Sequence, residues 1–316
     1  MKSLTENRWA TLGAPALKVE IRFFVWIGVA VALSAVTAPS FITLLNQSLG
    51  DTFGNVFPAI PFAALLSLIF ALRWRDLADV LAAEGSLGSQ LATRVGGAAI
   101  VGALLVLEPL TRQAVETSGV AVILTFYGTS LAINPLTRRF MLPYAAIYSA
   151  GVGAPFLLQW AFGEPLAVLS SILSARLVGV FGLPVAWQGT QFELMSRTGD
   201  VVSSAVTPGC SSIISVTTFL GLLALMHMDL KKDVRSTLTL AVGGILVLVV
   251  LNSVRILLLM WVGYQDGADA FWGIHNWIGY ALFVGFYLVA LVVYSRMGGH
   301  GPGPQPVKLG VPYTPS

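Results

Sequence analysis

Long apolar runs separated by short polar stretches recur along the chain, at 23–41, 56–72, 95–107, 120–133, 142–162, 211–228, 238–262 and 278–294. An α-helix rises about 1.5 Å per residue, so about 20 apolar residues cross a hydrocarbon layer about 30 Å thick. The pattern predicts an all-α polytopic membrane protein of about eight transmembrane helices, the third and fourth runs being short for a span. A further apolar stretch, 166–183, is interrupted by Ser170, Ser171, Ser174 and Arg176.

Charge beside the runs sets the expected topology. Lys2, Arg8, Lys18 and Arg22 precede the first run, which places the N-terminus in the cytoplasm. A cleaved signal peptide is the alternative for that run, but its length and the spans that follow favour a retained anchor. Arg73, Arg75 and Arg94 follow the second run, Arg138 and Arg139 the fourth, Lys231, Lys232 and Arg235 the run at 211–228, and Arg296 the last. All these loops read as cytoplasmic by the positive-inside rule. The count closes only if 166–183 does not cross, so it is expected to lie in the outer interface as an amphipathic or shallow re-entrant segment. Trp26, Trp160, Trp261, Trp272 and Trp277 fall near run ends, as an interfacial aromatic belt predicts.

The longest polar stretch, 184–208, alternates Val185 and Trp187, then Phe192 and Leu194, with Gly189 and Thr198-Gly199-Asp200 as turn signals. It predicts a short hairpin on the outer face. The expected organisation is a cytoplasmic segment at 1–22, a transmembrane domain at 23–296 with its catalytic part at 166–294, and a cytoplasmic Gly/Pro-rich tail at 297–316. No internal repeat is visible, and Gly298-Gly299-His300-Gly301 has no helix signal after it to make a phosphate loop.

Composition agrees with this picture and removes other classes. Of 316 residues, 56% are hydrophobic and only 10% charged, and the mean hydropathy is +0.80, which excludes an ordinary soluble domain. The net charge of +3 arises from Lys and Arg beside apolar runs and gives no reason to expect nucleic acid. One cysteine makes no internal disulfide, and three scattered histidines offer no zinc site, so neither metal nor cofactor is expected.

That one cysteine, Cys210, follows Pro208-Gly209 at the mouth of the run 211–228, in or just before its first helical turn. Free N–H groups and the positive end of a helix dipole favour a thiolate, the nucleophilic form of a thiol. A buried, inert cysteine is the alternative. A base must come within hydrogen-bond reach, and His227 stands about 25 Å away at the other end of the same helix. His300 is in the tail, whereas His275 precedes the last span in the same layer as Cys210. Arg255 lies about two turns below the outer end of its span, where a charge is costly unless it serves a purpose or snorkels to the headgroups. Asn252, one turn below it on the same face, favours a polar interior. A thiol, an imidazole and a guanidinium thus map to one leaflet. They suit acyl transfer through a thioester, with Cys210 as nucleophile, His275 as acid and base, and Arg255 on the substrate or the oxyanion.

With these residues the sequence resembles the exosortase/archaeosortase family of polytopic membrane cysteine transpeptidases. The resemblance rests on Cys210-Ser211 opening a span, Asn252-Ser253-Val254-Arg255 in the next, and His275-Asn276-Trp277-Ile278-Gly279 opening the last. It is strongest over 166–294, and the usual bacterial Cys-Ser-Gly is Cys210-Ser211-Ser212 here. The resemblance implies catalytic roles for Cys210, Arg255 and His275, with Asn252 and Ser211 supporting. It also implies a multi-pass protein of the inner or plasma membrane with its site on the extracytoplasmic side. Its substrates would be exported proteins whose C-terminal signal joins a short motif such as Pro-Glu-Pro, one apolar helix and a basic end. The acceptor of the acyl group, water or another nucleophile, stays open. The rival from another class is a transporter or channel whose polar pathway is lined by Arg255, Asn252 and His275 while Cys210 merely packs.

Overall fold

The structure is a computed structural model that describes residues 14–39, 41, 59–82, 90–111 and 115–297; the N-terminal start and the tail, with His300, lie outside the described residues. Among the described residues, five helical stretches are long and apolar enough to cross a membrane: Leu91–Leu110, Pro135–Val180, Ile213–Leu230, Val234–His275 and Trp277–Arg296. Two shorter apolar ones, Ile21–Thr37 and Thr117–Ile133, accompany them. The chain is therefore a polytopic, mostly helical membrane protein, and its described residues divide into two compact units.

The first unit draws on Met1–Leu44 and Leu66–Ser149. It contains α1 (Ala14–Thr37), the C-terminal part of α2 (Ala59–Leu72), α3 (Trp74–Ala82), α4 (Leu91–Thr111) and α5 (Val115–Ile133). Hydroxyls satisfied at short range let these apolar helices carry polar groups inside: Thr37 and Thr125 hydrogen-bond across α1 and α5 at 2.8 Å. Asn134 caps two elements at once. Its Oδ1 accepts from the Leu136 N–H, and its Nδ2 donates to the carbonyls of Val80 and Leu81 at the end of α3. α3 was not anticipated, although its buried Leu77, Ala78, Val80 and Leu81 trace an apolar helical face. Trp26 is 2% exposed and packs edge-on against Phe126.

The second unit draws on Leu45–Leu65 and Ala150–Gly303. α6 (Arg138–Val180) enters it as one helix of 43 residues, about 65 Å long, roughly twice the hydrocarbon thickness. The expected separate interfacial segment at 166–183 is instead the end of this helix. Gly163 and Pro165, between the two apolar runs, both lie inside α6, and Gly163 is the place where Pro208 packs against it. Ala167 and Val178 on the same helix are buried in the core beneath the sheet, and Ser170, Ser171 and Ser174 are buried with them.

Where a hairpin was expected, the chain forms a three-stranded antiparallel sheet in the order β1 (Val185–Gln188), β2 (Gln191–Met195), β3 (Val201–Ala205). The alternation predicted the first two strands. The third, Val201-Val202-Ser203-Ser204-Ala205, was missed because only Val202 and the following Val206 point into the core, alongside Phe192 and Leu194. The first turn is the two-residue Gly189-Thr190, with positive φ at the glycine, and the second is the three-residue Arg197-Thr198-Gly199.

α7 (Ile213–Leu230) follows, then α8 (Val234–Arg296), which is broken at Gly267. There φ is 88° and ψ is −173°, a region essentially confined to glycine. The break makes two helical arms, and the tip of the β2–β3 turn fits against it. The Arg197 N–H donates to the Tyr264 carbonyl at 2.8 Å, and the Arg197 guanidinium lies over the Tyr264 ring. At the far end of α7, His227 Nδ1, Thr237 Oγ1 and the Tyr294 hydroxyl form a triangle of hydrogen bonds, and Lys232 Nζ donates to the Met297 carbonyl.

Candidate active site

The turn between β3 and α7 holds Cys210. Pro208–Cys210 is one 3-10 turn, in which the Cys210 N–H donates to the Thr207 carbonyl at 2.9 Å. The Ser211 hydroxyl folds back onto the Pro208 carbonyl at 2.6 Å. Ser211 thus braces the turn, and its hydroxyl is engaged there. Asn252, 1% exposed, donates from Nδ2 to the Cys210 carbonyl at 3.0 Å, tying the turn to α8. A hydrogen bond of this kind costs little to make and much to leave unmade in a buried setting, so the polar interior expected of Asn252 has a specific purpose.

Arg255 stands one helical turn beyond Asn252, and its Nη2 donates to His275 Nε2 at 3.1 Å. Since a guanidinium only donates, Nε2 is the accepting nitrogen and the imidazole is neutral, with its proton on Nδ1. The guanidinium and the Cys210 thiol line the same cavity. All three candidate residues therefore come together around one cavity, where Arg255 and His275 are hydrogen-bonded. No hydrogen bond joins thiol and imidazole directly among the described residues.

Two features of this arrangement were not foreseen. Gly279, one turn after His275, leaves the space into which the Arg255 side chain fits: a Cβ there would lie 3.2 Å from Arg255 Nε. The His275 ring is flanked by Phe271 and Trp272, with centroids 5.8 and 5.3 Å away. His227, excluded on distance, is indeed at the opposite end of α7 in its own network. Cys210, Arg255 and His275 share a cavity of about 190 Å³ whose remaining wall includes Ser204–Thr207 and Trp272. Among the described residues no cluster of His, Cys, Asp and Glu could hold a metal ion.

Residues 47–292 match the family model described as transmembrane exosortase (Exosortase_EpsH). The chain belongs to the exosortase family. The match covers most of the sequence and contains the entire cavity. Comparison with curated proteins and with solved structures gives no match. As an exosortase, the chain falls in a class of membrane transpeptidases involved in protein sorting.

Proposed function

We propose that this exosortase cleaves C-terminal sorting signals of exported proteins through a thioester on Cys210, at the extracytoplasmic face of the plasma membrane. The observation that carries the reading is Arg255, hydrogen-bonded to His275 Nε2 at 3.1 Å and set with the Cys210 thiol on the wall of one cavity. A half-buried cation inside a membrane span needs a purpose, and here it lines a cavity with the two groups an acyl transfer requires.

In this mechanism the substrate carbonyl oxygen takes the guanidinium as hydrogen-bond donor. That releases Nε2 to accept the thiol proton. The sulfur bonds to the carbonyl carbon, and Arg255 stabilises the oxyanion that forms. Collapse of the tetrahedral centre breaks the C–N bond, and His275 returns the proton to the departing amine. An incoming nucleophile, water or an amine, then releases the acyl group from the sulfur. Asn252 and Ser211 hold the turn so that the sulfur faces the cavity. The substrate is a protein whose C-terminal signal includes a membrane-spanning helix, which brings the scissile bond to the depth of the cavity.

The test is co-expression with an exported reporter carrying a Pro-Glu-Pro motif, one apolar helix and a basic end. Cys210→Ala and Cys210→Ser each abolish processing, and mass spectrometry of the wild-type enzyme finds the reporter's acyl fragment on Cys210. Processing that survives Cys210→Ala while Arg255→Ala abolishes it would overturn the thioester and favour a polar pathway.

A further inference from the structure

We propose that the open edge of β3 receives an extended stretch of the substrate polypeptide as a fourth strand, and that this pairing leads the scissile carbonyl to Cys210. The inference rests on the thioester reading above and adds how the substrate is held.

The register of the sheet identifies which backbone groups are unused. The Val206 N–H donates to the Thr190 carbonyl, and the Ser196 N–H donates to the Asp200 carbonyl. In the β2–β3 pairing Leu194 faces Val202 and Phe192 faces Ser204. In an antiparallel pair, hydrogen-bonded positions alternate along each strand. Positions 200, 202, 204 and 206 therefore turn their N–H and C=O groups toward β2, and Val201, Ser203 and Ala205 turn theirs the other way. β3 is an edge strand, with β2 as its one sheet neighbour. No described residue bonds to the backbone of Val201, Ser203 or Ala205 on that side, and all three residues are exposed.

Soluble proteins blunt such an edge with Lys, Pro, a bulge or a covering element. β3 carries no charge and no proline. What makes its occupant a substrate rather than a second sheet is where the edge leads. The end of β3 and the residues that follow, Ser204–Thr207, form the wall of the cavity that holds Cys210, Arg255 and His275. A strand added at Ser203 and Ala205 would run directly into that cavity. The other face of β3 is fixed by Val202 and Val206 in the core, so the edge is presented rigidly. Main-chain pairing supplies affinity with little dependence on side chains, and it demands an extended segment with N–H groups at alternate positions.

The experiment uses the full-length enzyme in membranes and the reporter described above. Proline is placed in turn at each of the six residues before the mapped cleavage site, leaving the enzyme unaltered. Strand pairing predicts that processing falls at every second position by about tenfold, the loss of one backbone hydrogen bond, and little between. On the enzyme side, Ala205→Pro removes an outward N–H without touching the β2–β3 ladder, and lowers processing by a similar factor. Alkylation of Cys210 by iodoacetamide at the wild-type rate certifies that the turn is intact in this variant. Uniform tolerance of proline, or full activity of Ala205→Pro while Cys210→Ala is inactive, overturns the pairing and leaves the thioester reading standing. Activity persisting in Cys210→Ala overturns the thioester reading instead.

Discussion

At the scale of single residues, the site is organised around the room given to one guanidinium. Arg255 is held by His275 on one side and by the absence of a side chain at position 279 on the other. Gly279→Ala puts a methyl 3.2 Å from Nε, closer than ordinary van der Waals contact, so the guanidinium must shift by a few tenths of an ångström. A displacement of about 1 Å can cost on the order of 10²-fold in rate, so about a tenfold fall in kcat is expected. KM for the reporter stays near wild type because helix burial and strand pairing are unaffected, and Cys210 alkylation is unchanged. A rise in KM with kcat preserved would place Gly279 in substrate binding instead. The sequence singled out Cys210 and His275 as rare types and Arg255 as a charge in a costly position, and the structure puts all three on one cavity. It did not disclose Gly279 as the slot, since a missing Cβ matters only once the opposing helix is known.

Among the elements, the helices were legible and their joints were not. Apolar runs at 211–228, 238–262 and 278–294 correspond to α7 and to the two arms of α8. The division at 163–166 does not exist, because a glycine inside a helix marks a close approach as readily as an end. The third strand was hidden because two of its five residues are serines and its apolar alternation is incomplete. α8 is interrupted at Gly267, and this one residue sets the direction of the arm bearing His275. Gly267→Ala forces a non-glycine residue into a conformation that costs about 1–3 kcal/mol. Its Cβ would also lie 2.6 Å from Asp200 Oδ2 and 2.9 Å from Thr198 Oγ1. The β2–β3 turn is then dislodged from Tyr264. Faster proteolysis at 196–200 and loss of most processing are expected. Gly273→Ala, on the same arm with open space around its Cβ, serves as the comparison and retains both properties. Equal behaviour of the two variants would mean that the break does not aim the second arm.

For the molecule as a whole, the decisive quantity is the side of the membrane on which the cavity opens. α7 has Cys210 before its start, while Lys231 and Lys232 follow its end, 18 helical residues later, about 27 Å along the axis. That is nearly the thickness of the hydrocarbon layer, so the two ends are expected to face opposite aqueous phases. Positive charge favours the cytoplasm, which is therefore the side expected for the Lys232 and Arg296 ends; these ends lie together, Lys232 Nζ donating to the Met297 carbonyl. Because Cys210 is the only cysteine of the chain, the protein carries its own topology probe. A membrane-impermeant maleimide added to intact cells, with any outer barrier removed, labels the wild-type protein without permeabilisation. In a Cys210→Ala background, Lys231→Cys is labelled only after the membrane is opened. The reverse pattern would put the thiol among cytoplasmic proteins, out of reach of exported substrates, and would separate the chemistry of the site from the sorting reaction proposed for it.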